Sequence, residues 1–288
     1  MKKLIICLIA VISISASQPV IITYDLKTAI EKKLVSCSIY GNDRSTHYYQ
    51  PIKIDITNLT NKNITIIIPN GQKIIADSTK VQDVIITQEE LIALTPNKNE
   101  LKPLFAMCIQ QYNSASNQST TYKLGNLATG SLDKVAKEIE NKKSFNTLGQ
   151  YTIWAITDEF PIEEIAGFQE KESIHFQKFA ANLLNVPVTK YESNDYKNYY
   201  ENTSSFKRNV VGEFKYKFSS KNHVTLGLFN EQDVIVRELY NNPDEKPGKH
   251  TFKIAFDTKN YSDPTYYIRM VVNGEVKINM KIEPNKRS

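Results

Sequence analysis

Histidine is scarce in this 288-residue chain: His47, His175, His223 and His250 lie far apart, with no His-Glu-x-x-His pattern. Three cysteines stand at 7, 37 and 108 without a Cys-x-x-Cys spacing, so the sequence offers no ready metal set. Ten glycines form no phosphate-binding loop and no Gly-x-Ser-x-Gly elbow, and no Asp-rich calcium loop is present. Neither a cofactor nor a metal is therefore expected. Charge of one sign is also sparse. The net charge is +5, without a concentrated basic stripe, which argues against a nucleic-acid partner. After the first residues no apolar run is long enough for a membrane span, so no transmembrane anchor is expected.

What is present begins with an export signal. Lys2 and Lys3 form a charged start, Leu4 to Ile14 an apolar run, and Ser15-Ala16-Ser17 a cleavage site leaving Gln18 first. Cys7 sits inside the apolar run without the small residue that lipidation needs before it. Loss of 1–17 leaves 34 basic against 31 acidic residues. The expected location is outside the cytoplasm: the medium, the outer cell surface or the periplasm. There Cys37 and Cys108 are candidates for one disulfide, which geometry rather than spacing decides.

Hydrophobic periodicity divides the rest. Over 30–188 a β-sandwich with a helical layer is expected. Leu34 to Ile39 reads as a strand, Ile52, Ile54 and Ile56 alternate, and Ile64 to Ile68 returns. Pro69-Asn70-Gly71-Gln72 signals a hairpin into Lys73-Ile74-Ile75. Helices are expected from an N-cap at Ser131 through Ile139, over 148–156, and from Ile174 to Leu184. Residues 189–209, rich in Tyr, Asn, Lys and Ser, read as a linker, and 210–284 as a second, immunoglobulin-like sandwich. The fold class is mainly β with a helical layer, α+β.

The C-terminal stretch carries a resemblance. His223 to Asn230 is an alternating strand ending at a Phe-Asn turn. Val234 to Leu239 follows, then Pro247-Gly248-Lys249-His250, Phe252 to Asp257, Tyr266 to Arg269, Asn273-Gly274 and Lys277 to Lys281. This resembles the FlgD-like immunoglobulin fold, similar to type IX secretion sorting domains of Bacteroidetes. The family's usual Trp is Phe at 256, and Asp263-Pro264 stands where it has Ser-Gly. The resemblance implies a domain that addresses the protein to the secretion machinery and the cell surface, and is open to removal by cleavage.

Catalytic readings are thin. Cys108 with His175 would make a nucleophile and base only if the fold joined them, and Asp158, Glu159, Glu163 and Glu164 read as a solvated face. One constellation is sharper. Cys108 ends Phe-Ala-Met-Cys, and Gln150 opens Gln-Tyr-Thr-Ile-Trp. This resembles bacterial surface thioester domains, in which a Cys thiolate and a Gln carboxamide join with loss of ammonia and later acylate an amine. Here Gly149 and Thr152 replace the family's Thr and Ala. The alternative is that Ile153 and Trp154 are core residues and Gln150 bonds nearby backbone. A Cys37–Cys108 disulfide would exclude the thioester.

Three functions stay open on the sequence. The first is a non-enzymatic secreted or surface binding protein, its partner a surface glycan or a protein. The second is a covalent adhesin using Cys108 and Gln150. The third is a secreted hydrolase whose site assembles only in the fold.

Overall fold

The computed structural model describes residues 22–166, 170–188, 209–257 and 264–283. The expected signal segment, 1–17, and most of the expected linker, 189–209, lie outside these. The fold is β-rich α+β, of sandwich type, as the periodicity indicates.

The first unit opens with β1 (Ile22–Asp25) and α1 (Leu26–Glu31), followed by β2 (Val35–Gly41), β3 (Ile52–Asn58), β4 (Ile64–Ile68), β5 (Gln72–Ala76) and β6 (Val84–Ile86). Then come β7 (Glu90–Leu94), β8 (Asn99–Leu104), β9 (Ala106–Cys108) and β10 (Thr121–Leu127). Seven strands form one sheet in the order β8-β3-β2-β10-β5-β6-β9, and β1-β4-β7 form another. β8 and β9 lie at opposite edges of the larger sheet, yet only Phe105 separates them in the chain. The sheet must therefore curl until its edges meet. Its inward face shares one core with the small sheet: Ile52, Ile54 and Ile56 from β3 with Ile64, Ile66 and Ile68 from β4. These are the alternating isoleucines of the sequence. Burying each contributes about 1.5–3 kcal/mol relative to leaving it in water.

The turn at Pro69–Gln72 is real, with Gly71 at φ +82°. It makes no hairpin. β4 pairs with β1 and β7, whereas β5 pairs with β10 and β6, so the turn carries the chain from one sheet to the other. Asn70 anchors it, its amide donating to Thr87 O and Ala136 O, both at 3.0 Å.

Three helices cover the β9 end: α2 (Gly130–Lys142), α3 (Thr147–Thr157) and α4 (Glu170–Leu184). α2 starts one residue before Ser131, and its N-cap is Thr129, whose side chain makes no capping bond. α3 is the buried one, with Thr147 through Ala155 all inside.

The second unit contains β11 (Asn209–Phe218), β12 (Asn222–Phe229), β13 (Ile235–Glu245), β14 (Gly248–Asp257), β15 (Tyr266–Val272) and β16 (Glu275–Ile282). Six strands appear among the described residues of the expected second sandwich. β11-β14 form one sheet and β13-β12-β15-β16 the other. The stretch from Asn241, with prolines at 243 and 247, continues β13 to Glu245, and the chain then crosses to the other sheet. Glu245 ties the sheets together: Tyr240 Oη donates to it at 2.5 Å, and His250 Nδ1 lies 3.0 Å away. Asn273-Gly274 makes the expected β15–β16 hairpin, with φ of +50° and +85° suited to a type I′ turn.

The two units are not beads on a string. Phe229, Val234 and Ile235 of the second enter one hydrophobic cluster with Tyr48, Met107 and Trp154 of the first. Main-chain bonds cross the junction, Ala115 N to Gln232 O at 2.8 Å and Val276 N to Arg44 O at 2.9 Å.

Candidate functional site

β9 is an edge strand. Its pairing with β6 uses the main chain of Phe105 and Ile109, through Thr87 and Asp83, so the N–H groups and carbonyls at 106 and 108 face away from the sheet. Buried main-chain groups need partners. Ala106 N donates to Tyr49 O at 3.1 Å. For Cys108 the partner comes from α3. Asn146 caps that helix, accepting from Leu148 N at 3.0 Å. Gly149 then allows a close approach, for a Cβ there would stand 2.4 Å from Ser144 O and 2.8 Å from Met107 Cε. The next side chain, Gln150, reaches the strand. Cys108 N donates to Gln150 Oε1 at 3.0 Å, and Gln150 Nε2 donates to Cys108 O at 2.8 Å. The carboxamide thus behaves as one residue of an added strand.

The structure therefore brings together Cys108 and Gln150, 42 residues apart, through the main chain of Cys108. The Cys108 side chain itself belongs to the core shared by the two sheets, with Ile74 and Tyr122, opposite in the strand's alternation to Met107, which faces the helices. Burial pushes its thiol well above the ordinary value, and the nearby Asp83 charge adds to this. Such a thiol stays protonated near neutrality and is a weak nucleophile.

Cys37 and Cys108 are both free, which corrects the disulfide expectation. Cys37 lies on β2, from which β10, β5 and β6 separate β9. Even two strand steps, roughly 9.6 Å, exceed the Cα separation of about 7 Å that a disulfide tolerates.

The histidines are dispersed. His175, imagined as a base for Cys108, pairs instead with Glu138 at 2.7 Å. His223 bonds Asn241 at 2.8 Å. Among the described residues no group of three or more His, Cys, Asp or Glu is placed to hold a metal ion. His47 occupies the junction between the units. Its ring stacks on Trp154, centroids 5.5 Å apart, and its Nε2 accepts from Ile235 N at 3.0 Å. Burial drives its pKa down to about 3, helped by the Arg269 charge and opposed by Gln150. The ring is neutral, with its proton on Nδ1. Nearby, burial raises the Glu238 carboxyl to about 7; Asn241, donating at 2.9 Å, and Thr147 oppose this, and the Glu172 charge adds to it.

Outside this junction the units leave a groove of about 530 Å³. Tyr151, Trp154 and Phe160 wall it from the helical side, Gln111 and Tyr112 from the loop after β9, and Asn230, Gln232 and Arg237 from the second unit. Tyr151 and Phe160 stack at 5.0 Å and 14°. Tyr112 stands 80% exposed at the rim. Among the described residues the side-chain amides of Gln111 and Gln232 make no hydrogen bond. The sequence singled out Trp154 as the end of the thioester-like segment or, alternatively, as a core residue, and not as part of a groove. Its burial fits the core reading, and one edge of it also reaches the groove. Of the other lining residues, Tyr151 stood in the Gln-Tyr-Thr-Ile-Trp match, Asn230 and Val234 to Arg237 in the C-terminal resemblance and Glu164 in the face read as solvated, none of them as part of a groove, while Gln111, Tyr112, Phe160 and Gln232 carried no signal.

Compared with family models, with curated proteins and with solved structures, the chain matches none.

Proposed function

We propose that this is an exported, non-enzymatic binding protein of the medium or outer cell surface, which holds its ligand in the groove between its two units. The observation that carries the proposal is the groove itself. Its size falls within the usual 300–1,000 Å³ of ligand sites, and it combines aromatic faces with convergent polar groups. The second unit serves export or surface docking, in line with the sorting-domain resemblance, and also supplies one wall of the site. The test is binding of the labelled mature protein to cells and extracellular material from its habitat. Tyr112→Ala combined with Gln232→Ala should lower binding tenfold or more while leaving thermal unfolding unchanged. Undiminished binding would move the site elsewhere.

A second reading, the covalent adhesin, rests on the closeness of the Gln150 amide to the main chain of Cys108, and requires the sulfur to turn out of the sheet core towards that amide. In that reaction the thiolate sulfur attacks the carboxamide carbon and ammonia leaves. A substrate amine then displaces the thiolate, leaving an amide on Gln150. Incubation with methylamine followed by peptide mapping tests it. Methylamide at Gln150 supports it, and an unmodified Gln150 removes it.

A further inference from the structure

We infer that the groove takes a neutral oligosaccharide, an assignment that rests on the groove being the binding site. A sugar ring presents an apolar C–H face and a rim of hydroxyls that both donate and accept. The groove answers each. The exposed ring of Tyr112 and the half-buried ring of Phe160, backed by the stacked and buried Tyr151, offer flat apolar surfaces. The amides of Gln111 and Gln232 each hold a donor and an acceptor side by side, uncommitted among the described residues. The two charged side chains lining it, Glu164 and Arg237, are of opposite sign, so no net field selects an anion or a cation.

An extended peptide fits less well. Adding a strand needs free main-chain groups along an edge, and the entry to β13 has already used its own. Val234 N donates to Asn230 Oδ1 at 3.0 Å, Val234 O accepts from Asn230 N at 2.9 Å, and Ile235 N donates to His47. What remains is side-chain chemistry suited to hydroxyls.

Trp154 is the sole tryptophan of the chain and lines the groove, so its fluorescence reports occupancy there. The full mature protein is titrated with maltotriose, cellotriose and tri-N-acetylchitotriose, and separately with a random hexapeptide mixture. The expected result is a saturable change in Trp154 emission with at least one trisaccharide and none with the peptides. Tyr112→Ala and Gln232→Ala should each weaken that affinity about tenfold at unchanged melting temperature, and Tyr112→Phe should retain it. Response to peptides alone would overturn the carbohydrate assignment and leave the groove as a binding site. Silence towards every probe, together with undiminished cell binding by the groove variants, would overturn both.

Discussion

Gln150 shows how much one polar side chain decides. Its two amide atoms are the partners of a buried N–H and a buried carbonyl, and an unpaired group of this kind costs about 1–3 kcal/mol. Gln150→Ala should therefore lower unfolding stability by about 2–5 kcal/mol, read as the shift in urea midpoint. Gln150→Glu should also destabilise, because a carboxylate cannot donate to Cys108 O. His47 and Glu238 set a pH window. The His47 pKa falls from 6.5 to about 3 on folding, so its stabilising contribution is whole above 6.5 and is lost as pH falls towards 3. The Glu238 pKa rises from 4.5 to about 7, so its contribution is whole below 4.5 and is lost as pH rises towards 7. The slopes oppose each other in the overlap, which puts maximum stability between about 4.5 and 6.5. Glu238→Gln should remove the alkaline loss and make the variant about 2–4 kcal/mol more stable than the parent at pH 8, with the gain shrinking towards pH 5. A gain equal at both pH values would remove Glu238 as the cause.

Among the elements, most of those with a period were legible, although β7, whose burial alternates over Glu90–Leu94, was not read. Ile52, Ile54 and Ile56 announced β3, and the apolar run from Leu148 announced α3 within a residue at either end. β10 escaped notice because only Tyr122 of its seven side chains is buried; its place is held by ladder bonds to β2 and β5. β8 is similar, with only Leu104 inside. The Pro69–Gln72 signal located a turn correctly but could not say which sheet each flanking strand would join, since that depends on distant partners. Two glycines mark where elements meet at close range. At Gly149 an added methyl would press on main chain, so Gly149→Ala should cost about 1–3 kcal/mol and separate α3 from β9. At Gly274 a Cβ would stand 2.0 Å from the Tyr49 ring at a φ of +85°, so Gly274→Ala should loosen the junction between the units as well as the hairpin. Faster hydrogen exchange at Val276 N, which bonds Arg44 O across that junction, would register it.

For the whole molecule, the sequence suggested a linker between separable domains, and nothing local announced that they would share a core. The shared cluster depends on Phe229 and Ile235 meeting Trp154 and Tyr48 from far along the chain. A protease site introduced between 189 and 208 and then cut should leave two fragments that co-elute under native conditions and part only in denaturant. Separation without denaturant would contradict the common core. The candidate groove was legible only in part, because its walls come from a loop, two helical elements and the other unit. The proposed binding is noncovalent, with Cys108 a free core thiol and Gln150 its structural partner. Its most direct test is the intact mass of the protein recovered from its native host, denatured with a thiol-blocking reagent. The full mature mass with both Cys37 and Cys108 blocked is the predicted result. A mass short by ammonia with Cys108 unblocked, or short by two hydrogens with neither thiol blocked, would contradict it.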